Sequence, residues 1–181
     1  RDLPLALPAL LCMAVPVFGD RITDPSAVLL DFFYDRLSGS LREQGYTAQE
    51  VDAVLALRPE RLSEVGRRLE AVRAFATLPE APALAAANKR VGNILKKADG
   101  AIEPRVDAAM LREPAEQALA EALARVAPQA DAALRAGNHT AHLSALAVLK
   151  APVDAFFEHV MVNAEDPALK ANRLGLLATL H

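Results

Sequence analysis

The stretch AFFEHVMVNAEDPALKANRLGLLATLH, residues 155–181, carries the sharpest structural signal in the chain, because one dipeptide divides it into two helical patterns. In Asp166-Pro167, the aspartate is a preferred N-cap and the proline suits the first position of a helix. A leucine-rich run follows it. The stretch therefore predicts a helix, a turn and a final helix that packs by its leucines, as in a helical bundle.

The composition of the whole chain points the same way. Its 181 residues are 52% hydrophobic but only 4% aromatic, and they include no tryptophan. Strands favour β-branched and aromatic residues, whereas the abundant Ala, Leu, Glu and Arg favour helices. We therefore expect an all-α protein, an antiparallel helical bundle with no substantial sheet.

Caps, glycines and prolines divide the rest of the chain into further helices. Thr47 begins a capping box with Glu50, and Asp99 with the glycine after it is a helix-ending pair. Pro128 is expected to interrupt its helix, and Pro152 to kink the next one. The predicted helices cover about residues 25–44, 47–57, 61–77, 83–98, 114–135 and 139–159.

Two apolar features near the start of the chain carry expectations about packing. The first of these predicted helices has an apolar stripe at helical spacing, which we expect to be buried. Cys12, the single cysteine, is expected to be a small buried hydrophobe, and it fits a reducing, cytoplasmic compartment. The stripe comprises Val28, Leu29, Phe32, Phe33, Leu37 and Leu41.

The first twenty residues are apolar, but prolines break them and they are too short to span a membrane. We therefore expect no membrane association. The chain begins with Arg1 rather than Met, so we interpret it as an excised piece of a longer protein. Residues 1–22 are expected to be a helical remnant of the preceding region, and residues 23–181 to be one helical domain.

Catalytic and metal-binding patterns do not stand out. The sequence has no glycine-rich phosphate-binding motif and no evident nucleophile with its base. His139 and His142 have helical spacing, but zinc needs further ligands that the neighbouring sequence does not supply. We read both histidines as solvent-facing and predict neither a catalytic residue nor a metal site. An unrecognised small enzyme is correspondingly disfavoured.

The stretch NKRVGNILKK, residues 88–97, predicts a local basic surface in a chain of formal charge −3. Its apolar residues form one helical face and its polar ones the opposite face, which suits contact with phosphates. The alternative is that Lys96 and Lys97 only complement the dipole at the end of the helix. Gly92 suggests the close approach of another backbone, either that of a neighbouring helix or that of a nucleic acid. The polar residues are Lys89, Arg90, Asn93, Lys96 and Lys97.

Several segments together closely resemble the C-terminal region of bacterial glycyl-tRNA synthetase β subunits. They are AANKRVGNILKK (86–97) and FFEHVMVNAEDPALKANRLGLLATL (156–180), with FFYDRL (32–37) and AVLAL (53–57) upstream in the same order. The segment ALKANRLGL (168–176) is also similar to the motif that names the DALR anticodon-binding domain. Lys170 stands where that motif has arginine, which keeps the charge but loses the forked donor geometry.

The resemblance implies an anticodon-binding domain of the DALR type that is not itself catalytic. It implies a ligase assembled as α2β2, in which the α subunit makes glycyl-adenylate from glycine and ATP with Mg, and no cofactor is bound by this chain. The implied partners are tRNA(Gly), the α subunit and the remainder of the β chain. The alternative is a helical interaction domain that docks the rest of the β chain or the α subunit without binding RNA.

Under the first interpretation, cations on one helix face grip the RNA backbone, and an amide contacts a base or sugar. We also expect Arg173 to have mainly a structural role, paired with Asp154, Glu158 or Glu165. Lys170 is a candidate for either RNA contact or internal pairing. The main predicted set is Lys89, Arg90, Asn93, Lys96 and Lys97; the weaker set is Arg67, Arg68 and Arg73, with Arg173 and Lys170 as further candidates.

Overall fold

Every regular element in the computed structural model, which describes residues 5–98 and 100–181, is helical. The predicted all-α class is therefore confirmed, while Asp99, predicted to help end a helix, lies outside the described residues. The α-helices are α1 Leu7–Ala14, α2 Ser26–Glu43, α3 Ala48–Leu55, α4 Val65–Ala76, α5 Ala81–Lys96, α6 Pro114–Arg135, α7 His139–Leu146, α8 Lys150–His159 and α9 Pro167–Leu180. Short 3-10 turns occupy Val15–Arg21, Leu62–Glu64, Ala108–Met110 and Ala147–Leu149.

Two compact units make up the chain, the first ending at Ala74 and the second spanning Phe75–His181. This division differs from the one expected at residue 22. The expected division concerned the boundary with a preceding region of a longer chain, and it stays a prediction. No helix in the described residues has the length and apolar character needed to cross a membrane.

The first unit is organised around a small core and a well-formed helix cap. At the start of α3, the Thr47 hydroxyl accepts a hydrogen bond from the Glu50 backbone N–H at 3.2 Å. The Glu50 carboxylate accepts one from the Thr47 N–H at 2.7 Å, so the predicted capping box is confirmed. The buried core residues are Leu41, Val51, Val54, Val65 and Leu69.

Half of the apolar stripe of α2 is exposed, contrary to the expectation from its periodicity. Val28 is 73% exposed and Phe32 54%, and of the six predicted stripe residues Leu41 is the buried one. The core of this unit reaches α2 only near its C-terminal end, where Leu37 packs beside Leu41. Cys12 is likewise exposed rather than buried. Periodicity identified an apolar face correctly but could not show what covers it.

In the second unit, α5, α6, α8 and α9 pack around one core. The predicted start of α9 is confirmed, because the Asp166 carboxylate accepts hydrogen bonds from two backbone N–H groups and Pro167 follows it. Residues 172–177 are all buried, so neighbours surround that part of α9 on every side. The core includes Val91, Leu119, Leu123, Val126, Val153, Phe156, Leu176 and Leu177.

Two prolines act differently from the sequence prediction. The helix α6 continues through Pro128, which is exposed, as is Ala124 four residues before it. Water can therefore satisfy the carbonyl that proline leaves without a helical partner. The break between α7 and α8 is the 3-10 turn Ala147–Leu149, upstream of Pro152. Pro152 instead sits in the first turn of α8, where a missing N–H costs no helical hydrogen bond.

A buried ion pair anchors α9 to α6. Glu116 is fully buried and Arg173 is 5% exposed; one carboxylate oxygen of Glu116 accepts a hydrogen bond from Arg173 Nε. The other oxygen accepts the backbone N–H groups of Arg112 and Glu113, at 2.8 and 2.9 Å. Arg173 also donates to the Met161 carbonyl at 2.8 Å. The pair thus joins the start of α6, the middle of α9 and the connection that precedes α9.

The long connection before α6 crosses α9 at very short range. The side chain of Asn172 accepts a hydrogen bond from the Asp107 N–H at 2.7 Å and donates one to the Asp107 carbonyl at 3.1 Å. At Gly175, an added Cβ would lie 2.1 Å from the Arg105 carbonyl oxygen. Real Cβ atoms do not approach a backbone oxygen so closely, so α9 needs glycine here.

Replacing this glycine should therefore destabilise the second unit. We expect Gly175→Ala to lower the free energy of unfolding by roughly 1–3 kcal/mol or more, because the connection has to move away from α9. Gly39→Ala in α2 is the matched control, since a Cβ there meets nothing within 4 Å. The control should be neutral or stabilising by up to about 1 kcal/mol. Urea unfolding followed by circular dichroism measures both, and equal midpoints would contradict the close contact.

Removing one partner of the ion pair should cost more. We expect Glu116→Ala to destabilise the second unit by roughly 3–5 kcal/mol, because Arg173 is left buried without a counter-charge. Glu121→Ala, on the exposed side of the same helix, should change stability by no more than about 0.5 kcal/mol.

A double variant tests the origin of this effect by the same unfolding measurement. Glu116→Ala with Arg173→Met should recover part of the loss, because no unpaired charge remains buried. A double variant that is less stable than Glu116→Ala by the full effect of Arg173→Met would contradict the coupling.

Candidate nucleic-acid interface

The helix α5 separates its core side chains from its charged ones, as its sequence predicted. Val91 is fully buried, and Leu84, Ile94 and Leu95 pack against the same core. A stable apolar side thus fixes which way the polar side points. The exposed residues on that side are Lys89, Arg90, Asn93 and Lys96, with Lys97 at the C-cap that follows the helix.

Four of these five residues line one shallow recess. Lys89, Arg90, Asn93 and Lys97 surround it, together with apolar atoms of two other residues of α5, Ala86 and Ile94. Lys96 is exposed but does not line the recess. The structure therefore groups most of the main predicted set around one recess and leaves Lys96 outside its lining.

The lysines of α5 are free to attract an anion. Among residues 5–98 and 100–181, no carboxylate forms an ion pair with Lys89, Lys96 or Lys97. The helix dipole accounts for cations in the last turn, where Lys96 lies. It does not account for Lys89, which is about two turns further from the C-terminal end. Complementing the dipole is thus an incomplete explanation of the basic face.

Arg90 is held in place by an aromatic ring. Its guanidinium carbon lies 4.1 Å from the centroid of the Phe157 ring, within the range of a cation–π contact. Phe157 is half-buried in α8 and meets the fully buried Phe156 edge-on, with ring centroids 5.6 Å apart. Arg90 is therefore exposed and yet supported from behind by the core.

The close approach predicted at Gly92 comes from a side chain rather than from another backbone. A Cβ on Gly92 would lie 3.3 Å from the imidazole ring of His181. The Nδ1 atom of that ring lies 2.9 Å from the side-chain oxygen of Asn88. This side of α5 is thus covered by His181, next to the basic face.

Arg173 does not join the basic face, because its side chain is buried in the ion pair with Glu116. The structural role favoured for it agrees with this position, and its assignment as an RNA-contacting residue is corrected. The expected partners were wrong, since the true partner lies 57 residues away along the chain. Those expected partners were Asp154, Glu158 and Glu165. Lys170 is partly exposed and does not line the recess, so its RNA contact stays a prediction.

The weaker predicted set belongs to the first unit, where Arg68 and Arg73 form internal ion pairs. Arg68 bonds the Glu64 carboxylate at 2.9 Å. Arg73 makes two hydrogen bonds to Glu50, at 2.7 and 3.1 Å, and lies 4.5 Å from the centroid of the Tyr46 ring. These bonds hold the pKa of Glu50 at about 2, with help from the Thr47 N–H.

An internal role thus explains Arg68 and Arg73 without RNA. Arg67 is exposed and also interacts within the protein, and its RNA contact stays a prediction.

No cluster of three or more potential metal-ligating side chains occurs among the described residues. His142 has its Nδ1 2.9 Å from the Ala130 carbonyl oxygen, so this histidine contacts the neighbouring helix instead of pointing fully to solvent. The pair His139 and His142 therefore has no third ligand in the described part of the chain.

The sequence has clear relatives. The family profile described as the DALR anticodon binding domain matches residues 84–181, which include most of α5 and all of α6 to α9. The glycine--tRNA ligase beta subunit of Leptothrix cholodnii is 70% identical over 181 residues, covering 100% of this chain and 25% of that protein. The beta subunits of Delftia acidovorans and Acidovorax ebreus are 69% and 65% identical over the whole chain, at 26% and 25% of their own lengths. The chain thus spans about a quarter of the curated relatives it matches.

Proposed function

The chain belongs to the DALR anticodon-binding domain family, and we propose that it is a tRNA-binding module of a glycine--tRNA ligase beta subunit. The observation that carries the proposal is the exposed basic face of α5, which lies inside the matched region and has lysines without ion-pair partners among the described residues. Such a face suits a phosphate backbone, because neutralising phosphates releases their counterions.

Each residue of the basic face has a chemical role in this proposal. Lys89, Lys96 and Lys97 supply mobile positive charges for phosphates, and Arg90 supplies a planar cation. The amide of Asn93 can both donate and accept, which allows it to contact a base edge or a ribose hydroxyl. The bound nucleic acid is tRNA(Gly) in this reading.

The chemical step takes place elsewhere in the enzyme. An α subunit forms glycyl-adenylate from glycine and ATP with Mg, and the assembly is a cytoplasmic α2β2 enzyme. The present chain contributes the positioning of the tRNA relative to that subunit and to the remainder of the β chain, and binds no cofactor of its own.

A second candidate function concerns the first unit, whose exposed apolar side chains favour docking. Met13 and Val17 are 63% and 77% exposed, and Phe18, Val28 and Phe32 are exposed as well. Large apolar side chains grouped at a surface are typical of contacts with other protein. Under this alternative the chain holds the rest of the ligase together, and RNA is bound by other parts.

Charge reversal on α5 separates the two candidates. In the full-length ligase, Lys89→Glu with Lys97→Glu should weaken tRNA(Gly) binding by at least about tenfold. The slope of log affinity against log salt concentration should also become shallower, by about one for each lost phosphate contact. Fluorescence anisotropy at several salt concentrations measures both. Arg125→Glu with Arg135→Glu is the matched control, since it makes the same charge change at exposed positions of α6.

The control should leave affinity and salt slope close to those of the unaltered enzyme. If the lysine variant and the control both bind tRNA as tightly as the unaltered enzyme does, the RNA-binding assignment of α5 fails and the docking function becomes the better account. If both lose affinity to the same extent, the effect is one of net charge and the assignment fails as well.

A further inference from the structure

The second unit has few aromatic rings to offer an unpaired base. Its phenylalanines are Phe75, Phe156 and Phe157, it has no tyrosine or tryptophan, and its imidazole rings are those of His139, His142, His159 and His181. Phe156 is fully buried, and one face of Phe157 is covered by Arg90. Proteins that bind single-stranded RNA stack splayed bases on aromatic rings or on arginine planes. His181 lies against Gly92 and Asn88 and does not line the recess, whereas Arg90 lines it and carries a planar guanidinium.

The guanidinium of Arg90 lies over the Phe157 ring, and the same side chain lines the recess. At 4.1 Å from the Phe157 centroid, its inner side is in contact with the ring. Arg90 is nevertheless exposed and lines the recess, so its outer side is available. Because Phe157 packs against the core and Phe156, the support beneath Arg90 is rigid. A ligand that stacks on Arg90 therefore immobilises little of the protein that was mobile before binding, which keeps the entropic cost of binding low.

The rest of the lining matches the parts of one nucleotide. Asn93 provides a donor and an acceptor for a base edge. Ala86 and Ile94 provide apolar surface. Lys89 and Lys97 carry charge for the phosphates on either side of the base. The recess is open to solvent and has a volume of about 310 Å³, at the lower end of the roughly 300–1,000 Å³ of ligand sites, which leaves room for one flat group.

We propose that this recess binds one unpaired nucleobase of the bound RNA, stacked on the outer face of Arg90, with Phe157 as the positioning residue behind it. The proposal rests on the proposed function, since it identifies which part of the RNA occupies the basic face. Stacking accepts any base, so the choice between bases falls to Asn93.

The proposal is tested with tRNA(Gly) that carries an abasic site at each unpaired position in turn, titrated against the full-length ligase. One abasic position should lose about 5- to 100-fold in affinity, the range expected for one stacked base. Arg90→Lys keeps the charge but removes the plane, and Phe157→Leu keeps the apolar packing but removes the ring. Each variant should bind intact tRNA more weakly than the unaltered ligase does, by a similar factor. The abasic site should then lower the affinity of that variant little further.

Arg36→Lys provides the matched control, because Arg36 also lies over a phenylalanine, at 5.9 Å from the Phe32 centroid, in the first unit. It should bind intact and abasic tRNA as the unaltered ligase does. Fluorescence of 2-aminopurine at the sensitive position gives a second readout: its intensity should change on binding to the unaltered ligase, and that change should be lost with Arg90→Lys.

The remaining outcomes overturn the inference in distinguishable ways. If Arg90→Lys and Phe157→Leu bind normally while the α5 lysine variant is weak, the stacking site is wrong and the RNA-binding function stands. If either variant loses affinity for intact and for abasic tRNA by the same factor, relative to the unaltered ligase, the role of that residue is structural and the stacking site is again wrong. If no α5 variant affects binding, both proposals fail.

Discussion

The buried pair of Glu116 and Arg173 is the constraint on which the second unit depends. Burying both charges costs several kcal/mol per ion in desolvation, and attraction offsets this only when hydrogen bonds satisfy the remaining polar atoms. Here the second carboxylate oxygen accepts two backbone N–H groups at the start of α6, and the guanidinium also donates to the Met161 carbonyl. Such a pair adds little net stability over an apolar substitute. Its effect is to penalise any arrangement in which α9 is rotated or shifted along its axis.

Once the rotation of α9 about its axis and its position along that axis are fixed, its other contacts follow. Asn172 and Gly175 face the connection before α6, the first by two hydrogen bonds to Asp107 and the second by leaving room for the Arg105 carbonyl. Leu176 and Leu177 face the core, where Val91 of α5 is also buried. Because the apolar side of α5 is committed to that core, its basic side must face outward. The geometry of the candidate RNA site is therefore a consequence of how the opposite side of α5 packs against α9 and the rest of the core.

The sequence predicted those features whose cause is local. The cap at Asp166 and the leucines of α9 were confirmed because a capping side chain and a 3.6-residue period act within one or two turns. Arg173 was assigned the wrong partner because the choice among carboxylates depends on which helices meet, over 57 residues of chain. The role of Gly175 was missed for the same reason, although a glycine within a leucine-rich helix is itself a signal of close approach. Whether Val28 and Phe32 are covered likewise depends on contacts outside their own helix.

Net charge is a poor guide to anion binding in this chain. Its acidic residues outnumber its basic ones, 23 to 20. Fields of exposed charges are screened over about 8–10 Å, so a phosphate responds to the charges near it rather than to the total. Several arginines are neutralised locally, such as Arg42 by Asp52, Arg58 by Asp31 and Arg73 by Glu50. The lysines of α5, without such partners in the described residues, keep their field. An acidic protein can therefore present a basic face wherever its carboxylates are engaged elsewhere.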